Sequence, residues 1–317
     1  MTAISVVIPT FNRPSLAPLA IKSVLAQTHP AAEIIVVDDG SQQDMREVLG
    51  EFGRKIQVIR QVNTGLSGAR NTGIRAAQHE WVAFLDDDDE YGPERLARAA
   101  ASIKRAPAVQ VHATNTAIVS ETGPELDLFE LRGMPAADWM SVDRPLPWVL
   151  KGCFFAQSLV ARRHTLEEIG LFRPTFYEDM DLFVCLVPRS PWIIDGQPAL
   201  RLIRRDNTFA MSADWRSKPL ERCGALVRIH REALALPGLT ANEIASVRNG
   251  LASYLFERGS ALSRTGDRNA ARDHFAESAA HFQSRRSRLK AHAARWCGKP
   301  VVGLLDLLAS RRRGFIR

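Results

Sequence analysis

Cysteine is scarce in this chain: four in 317 residues, at Cys153, Cys185, Cys223 and Cys297, with no CxxC among them. That spacing offers neither a zinc knuckle nor a thioredoxin-type pair, so free thiols in a reducing compartment are expected. Long apolar runs are missing too. No stretch of about eighteen apolar residues occurs, so no bilayer span is expected. The N-terminal residues lack a basic n-region, and the apolar run Ile4–Ile8 is too short for a secretory leader. A cytoplasmic chain is therefore expected. Several signature loops are also absent. The turn after the first apolar run reads Thr10-Phe11-Asn12-Arg13, not G-x-G-x-x-G, which argues against a Rossmann dehydrogenase. Neither G-x-x-x-x-G-K-[ST] nor G-x-S-x-G occurs, which removes P-loop and serine-hydrolase readings. A sugar nucleotidyltransferase would want a Gly-rich loop directly after the first strand, and there is none.

What remains is ordinary in bulk and uneven in detail. The apolar fraction is 45% and the charged fraction 24%, as in a soluble globular protein. The length allows one large domain and a smaller appendage. Net charge is +7, with Arg and His crowded toward the C-terminus and clustered acids toward the N-terminus. A basic tail suits an anionic surface, and a solvated surface accounts for it equally simply.

Apolar runs alternate with helical spacing four times in the first part of the chain. Strands are expected at Ile4–Pro9, Glu33–Val37, Ile56–Arg60 and Trp81–Leu85. The first helix, with Ser15 as its cap, shows Leu16, Leu19, Ala20, Ser23, Val24 and Gln27 as one stripe. A Gly-rich loop, Asn63 to Gly68, is expected to precede a helix from Ala69 to Gln78. The pattern implies an α/β fold with a doubly wound, mostly parallel sheet and helices on both faces. Val109–Val119 and Ser158–Ala161 read as further strands, Thr165–Gly170 as a short helix, and residues 125–150 as a long Pro-rich loop. From Pro219 onward the spacing is helical throughout.

The organising stretch is Trp81-Val82-Ala83-Phe84-Leu85 running into Asp86-Asp87-Asp88-Asp89. Acids at the carboxyl end of a parallel strand stand on the edge where such sheets bind ligands. Adjacent carboxylates repel, and an oxygen-rich cluster of this kind suits Mg²⁺ or Mn²⁺. A second acid pair, Asp38-Asp39, ends the second strand, and a third set, Glu178-Asp179-Met180-Asp181, opens a downstream helix. Transfer of a sugar from a nucleotide donor employs all three. One acid meets a base N–H, one set holds a divalent ion, and one carboxylate takes the acceptor proton.

Five segments in order carry a family resemblance: Ser5 to Arg13, Val36 to Ser41, Ala69 to Gly73, Phe84 to Asp89, and Glu178 to Asp181. Together they resemble the successive motifs of family 2 inverting glycosyltransferases with the GT-A fold, over roughly residues 1–215. The resemblance implies a catalytic domain over 1–215, with 1–105 the nucleotide-sugar half and 106–215 the acceptor half. Residues 216–317 are expected to form an all-helical extension. It implies that Pro9, Thr10 and Phe11 line the base and ribose, that Asp39 reads a uracil N3–H, and that Arg70 lines the donor site. Asp88 and Asp86 are the implied metal ligands, with Asp86 or Asp87 nearer the ribose; four consecutive acids leave that register open by one. Asp179 is the implied catalytic base, with Glu178 as its competitor. Mn²⁺ or Mg²⁺ is the implied cofactor. A UDP-sugar is the favoured donor, a glycan or glycolipid the acceptor, and no nucleic acid is expected. Many relatives carry a His after an Arg near residue 205; here the stretch is Arg204-Arg205-Asp206-Asn207-Thr208. An inactive nucleotide-sugar-binding or scaffold protein of the same fold is the alternative.

Plain structural roles compete at several positions. Phe11 can be a core aromatic, Asp38 can cap its own turn, and Arg70 can pair at the surface with Glu80 or an acid of the run. Glu178 and Asp181 can be ordinary first-turn helix acids. His112 and His164 lack metal spacing. In the C-terminal part, Gly259, Leu262, Ala271 and Phe275 match one tetratricopeptide-like helix pair, though a plain helical hairpin serves as well. Val301 to Leu308 with basic flanks is long enough to lie in a membrane interface. Peripheral contact with an anionic membrane is one expectation for it, and packing on the core the other.

Overall fold

In the computed structural model, which describes residues 2–120, 123–204 and 217–297, the opening apolar run forms β1 (Ile4–Thr10), with every residue buried. Val6, Val7 and Ile8 at consecutive positions leave grease on both faces, so this strand belongs at the centre of a sheet. It pairs in parallel with β2 (Glu33–Asp38) on one side and with β4 (Trp81–Phe84) on the other. Beyond β2 lies β3 (Gln57–Arg60), also parallel. The second half of the sheet comprises β5 (Glu90–Tyr91), β6 (Val111–Ser120), β9 (Leu159–Arg162) and β10 (Trp192–Arg204). Two short strands, β7 (Leu126–Asp127) and β8 (Met140–Val142), pair with β6 and β10. The order is β3-β2-β1-β4-β9-β6-β10-β5. β9 is antiparallel to both β4 and β6, whereas β6 and β10 run parallel.

Helices cover both faces. α1 (Ala17–Leu25) and α4 (Arg95–Arg105) pack with Ile4, Val6, Ile8, Val36 and Ala83. α3 (Gly65–Ala76) lies on the opposite face, where Val7 points. A Cβ on Gly73 would overlap the Val7 side chain, so glycine is what allows the close approach. Two local expectations are corrected. Ser15 does not cap α1: the N-cap is Leu16, with no side-chain bond, and Pro18 sits in the first turn. The buried stripe of α1 is Ala17, Ala20, Ile21 and Val24, which leaves Leu19 exposed. The short α2 (Met45–Val48) is capped by Asp44.

Residues 125–150 are not the structureless loop that their prolines suggest. They hold α5 (Leu128–Leu131), capped by Asp127, and α6 (Leu146–Leu150), with Pro147 in its first turn. Phe129, Trp148 and Phe154 meet there, with ring centroids 4.9 and 5.8 Å apart for the two pairs that include Phe129. α7 (Arg163–Glu168) ends at Gly170, whose φ is +89°. α8 (Glu178–Leu186) then follows a left-handed Tyr177.

The chain separates into two compact units, Met1–Asp206 and Asn207–Arg317. The second contains α9 (Pro219–Leu234), α10 (Ala241–Thr265), α11 (Arg268–His281) and α12 (Arg285–Cys297). Thr240 and Glu243 form a reciprocal cap at the start of α10. Gly259 faces Phe275, and Phe275 clusters with Ala271, Ala294, Phe256 and Leu262. The hairpin expected from those spacings thus has a third helix packed on it. None of the described helices is long and apolar enough to cross a membrane.

Candidate active site

The strand order reverses direction at β1: β2 lies to one side and β4 to the other. A crevice opens at the carboxyl ends of strands at such a point, and the chain places its polar residues there. Thr10 ends β1, and its hydroxyl donates to Asp87 Oδ2 at 2.7 Å. Arg13, on the loop after β1, donates to Asp87 Oδ1 at 2.7 Å and pairs with Asp88 Oδ2 at 2.6 Å. Asn12 between them is held left-handed, with φ +54°; its N–H donates to Ser41 Oγ and its Oδ1 accepts from Gln42 N.

Asp86 to Asp89 form a tight turn, closed by Asp89 N donating to Asp86 O at 3.2 Å. The turn carries the chain from β4 across to β5 beside β10. There Ile203 N donates to Asp89 Oδ1 at 2.8 Å, and Gln157 donates to the other oxygen. Carboxylate oxygens of Asp86, Asp88 and Asp89 lie within 4.8 Å of one another. Three converging hard oxygens fit a divalent cation such as Mg²⁺ or Mn²⁺. The electrostatics agree. Burial, then repulsion from Asp88 and Asp86, raises the Asp89 carboxyl well above its ordinary range. Burial and Asp86 raise Asp88 against the pull of Arg13. Asp87 is pushed up to about 6, mainly by burial, with Arg13 and the Thr10 hydroxyl opposing. Asp87, expected near the ribose, is bonded to Thr10 and Arg13. Asp89, the last acid of the run, joins the converging set.

Arg70 of α3 connects this cluster to a distant one. It is 3% exposed. Its Nη2 donates to Asp86 Oδ1 at 2.8 Å and its Nη1 to Glu178 Oε1 at 3.0 Å. Burial opposes its charge, but Asp86 and Glu178 outweigh that and raise its pKa. The surface pair with Glu80 does not form; Glu80 pairs with Arg162. Asn71, the next residue, makes two bonds to the Phe172 backbone, at 2.8 and 2.9 Å. Ser67 Oγ donates to Arg173 O. These bonds fasten α3 to the segment that leads into α8, and so fix Glu178 and Asp179 relative to Asp86. Glu178 is buried under Arg70, Asp181 is held by Arg173 at 2.5 Å, and Asp179 is largely but not fully buried. Burial and then the neighbouring Glu178 push Asp179 up to about 7, against the pull of Arg70.

Asp38 accepts from Ser41 N at 2.9 Å and pairs with Arg60, the capping role that its turn suggested. Asp39 accepts from Thr64 N and Gln61 Nε2 through Oδ1 and from Gly65 N through Oδ2. It therefore caps α3 from the turn after β2, and this is why the helix begins at Gly65 and not at Ala69. Phe11 is 45% exposed, so it is not a core aromatic. Pro9 lies inside β1, paired with Val37. His112 is buried against Arg95, and burial lowers its pKa well below the usual value. Of the Arg204–Thr208 stretch, only the Arg204 backbone falls within the described residues.

A family model described as "Glycosyl transferase family 2" matches residues 5–157. The putative teichuronic acid biosynthesis glycosyltransferase TuaG of Bacillus subtilis is 30% identical over 219 residues, 68% of this chain and 83% of that one. An uncharacterised glycosyltransferase of Nostoc is 46% identical over 99 residues, 30% of this chain and 31% of that protein. One from Rickettsia conorii is 42% identical over 97 residues, 30% of this chain and 16% of that protein. The match thus spans a third of these last two proteins or less. Among solved structures, S. aureus TarS residues 1–349 with UDP-GlcNAc superposes with a TM-score of 0.73 at 20% identity. That superposition covers 100% of this chain and 93% of TarS 1–349, a likeness of fold.

Proposed function

The chain belongs to glycosyl transferase family 2, and from that premise we propose that it transfers a sugar from a nucleotide-sugar to an acceptor hydroxyl with inversion at the anomeric carbon. One observation carries the reading. The acid run after β4 and the acid pair at the start of α8 are about ninety residues apart, yet a single buried guanidinium, Arg70, bonds to both. A single-displacement transfer needs that pairing: a charge-bearing site for the leaving diphosphate and a separate carboxylate opposite it. Asp86, Asp88 and Asp89 would hold a divalent ion, Mn²⁺ or Mg²⁺, which when bound offsets charge developing on the diphosphate.

Asp179 is the base. Its carboxyl is raised toward neutrality, the range in which a carboxylate takes a proton from a hydroxyl and gives it up again. Glu178, bonded to Arg70, holds that guanidinium in place and is the weaker candidate. Arg70 orients both acid sets and presents positive charge toward the donor. Phe11, exposed beside the β1 terminus, offers a stacking face for the base, and the Asp39 carboxylate an acceptor for a uracil N3–H. A UDP-sugar donor is further supported by the TarS complex with UDP-GlcNAc. The acceptor is a glycan or glycolipid, in keeping with TuaG. Peripheral contact with an anionic membrane on the cytoplasmic side is assigned to the basic 296–317 segment, most of which lies outside the described residues.

The test is nucleotide release from a panel of UDP-, GDP- and dTDP-sugars, with Mn²⁺ and with EDTA, followed by NMR of the product's anomeric proton. Release only with metal, and a β-product from an α-donor, is the expected result. Full activity in EDTA removes the ion, and retained configuration removes the single displacement.

A further inference from the structure

Arg13 was not among the donor-binding residues expected from the sequence, yet it sits on the acid run. Its Nη1 lies 2.7 Å from Asp87 Oδ1 and 2.6 Å from Asp88 Oδ2. These two partners differ in kind. Asp87 is buried, its second oxygen accepts from Thr10, and it stands outside the converging set. Asp88 is a third exposed and belongs to that set. The same Nη1 therefore bridges an acid outside the converging set and an acid that a cation would claim.

We infer that Arg13 is a resident counter-ion that holds Asp88 in place of the metal and yields it when metal and nucleotide diphosphate arrive together. The inference rests on the acid run being the metal site of the proposed transferase. A bare cation must displace a charge-assisted hydrogen bond and approach a fixed positive charge, both of which weaken its binding. A diphosphate reverses this, because its oxygens give the displaced guanidinium a new planar partner. The loop is built for such an exchange. Asn12 is pinned by its bonds to Ser41 and Gln42, so the backbone stays while the side chain, about a quarter exposed, turns. Coupling of this kind is reciprocal: nucleotide tightens metal by the factor by which metal tightens nucleotide.

Calorimetry of Mn²⁺ binding to the metal-free full-length chain, without and with saturating UDP, reads this directly. Arg13→Gln should bind Mn²⁺ alone about ten-fold more tightly than the wild type, the scale of one removed charge at a few ångströms. The factor by which UDP tightens Mn²⁺ should shrink by about the same amount. Arg13→Met, which keeps the aliphatic stem, is the second neutral variant should Arg13→Gln not fold. Arg13→Lys retains the charge and should keep most of the coupling. A structural loss alone would weaken Mn²⁺ binding, so tightening marks the counter-ion role. Neutral variants that bind Mn²⁺ no better than the wild type, or that keep its full coupling, overturn the inference and leave the metal site standing. A wild type that binds UDP but no Mn²⁺ overturns both.

Discussion

Asp179 and Glu178 are adjacent in sequence but held differently. Glu178 is committed to Arg70, whereas Asp179 is only partly buried and raised to about 7. Asp179→Asn should keep UDP binding and lose transfer by about a hundred-fold or more, the scale of a lost general base, in single-turnover rates. Glu178→Gln should weaken donor binding as well, because Arg70 loses its second anchor. A dead Glu178→Gln beside a silent Asp179→Asn would move the base by one residue. The acid limb of kcat/KM should fall below about pH 7, because a protonated Asp179 cannot accept a proton; the limb should vanish in Asp179→Asn. The same raised carboxyls bear on stability. Asp87, at about 6, and Asp179, at about 7, bind protons in the folded state that they release near 3.8 when unfolded. Between those limits the folded state binds more protons, so this cluster's contribution to stability falls as pH rises from about 4 to 7. Asp88 and Asp89, which would hold the cation, are raised in the same direction, so melting temperatures with EDTA and with Mn²⁺ should diverge as pH rises. Parallel curves would deny that the cation relieves the cluster.

α3 shows how an element can be specified from a distance. Its start is set by Asp39 just after β2, its face on the sheet by Gly73 against Val7, and its hold on the segment leading into α8 by Asn71. Asp39→Ala should destabilise the fold by about 1–2 kcal/mol through the lost cap, even without nucleotide. Asp39→Asn separates the two roles: an amide keeps acceptor capacity for the cap but weakens the preference for UDP over CDP, since cytosine has no N3–H to offer. Calorimetry with both nucleotides, set beside a denaturant melt, distinguishes them. Gly73→Ala should cost about 1–3 kcal/mol, the usual penalty for overpacking, because the new methyl meets a core Val on a central strand. Wild-type stability for that variant would mean that α3 can lift from β1.

At the level of the whole molecule, the two units call for separate measurements. Removing residues 295–317 deletes the basic, apolar end of the second unit. If that segment meets anionic lipid, liposome sedimentation should show salt-sensitive pelleting of the full chain and little of the truncation. Equal pelleting of both forms would assign the segment to packing. The residues proposed to bind the donor belong to the first unit, so UDP affinity should be the same for both forms.

The sequence by itself determined the parallel strands, because Val and Ile at consecutive positions are buried on both faces only at the centre of such a sheet. It also determined the chemistry: carboxylates after β2 and β4, and at the start of α8, mark where charge must be handled. Tertiary structure decided which acid does what. Asp39 spends most of its acceptor capacity on a helix cap, and Asp87 turns to Thr10 and Arg13. Asp89 turns inward to join Asp86 and Asp88, and Arg70 joins residues about ninety positions apart. The short elements in 125–150 also had to wait, because aromatic contacts from several segments hold them in place and local propensity does not. A residue's type follows from the chain alone. Its partners follow from which strand ends the fold brings within about 3 Å, and four consecutive identical acids can be told apart only by those partners.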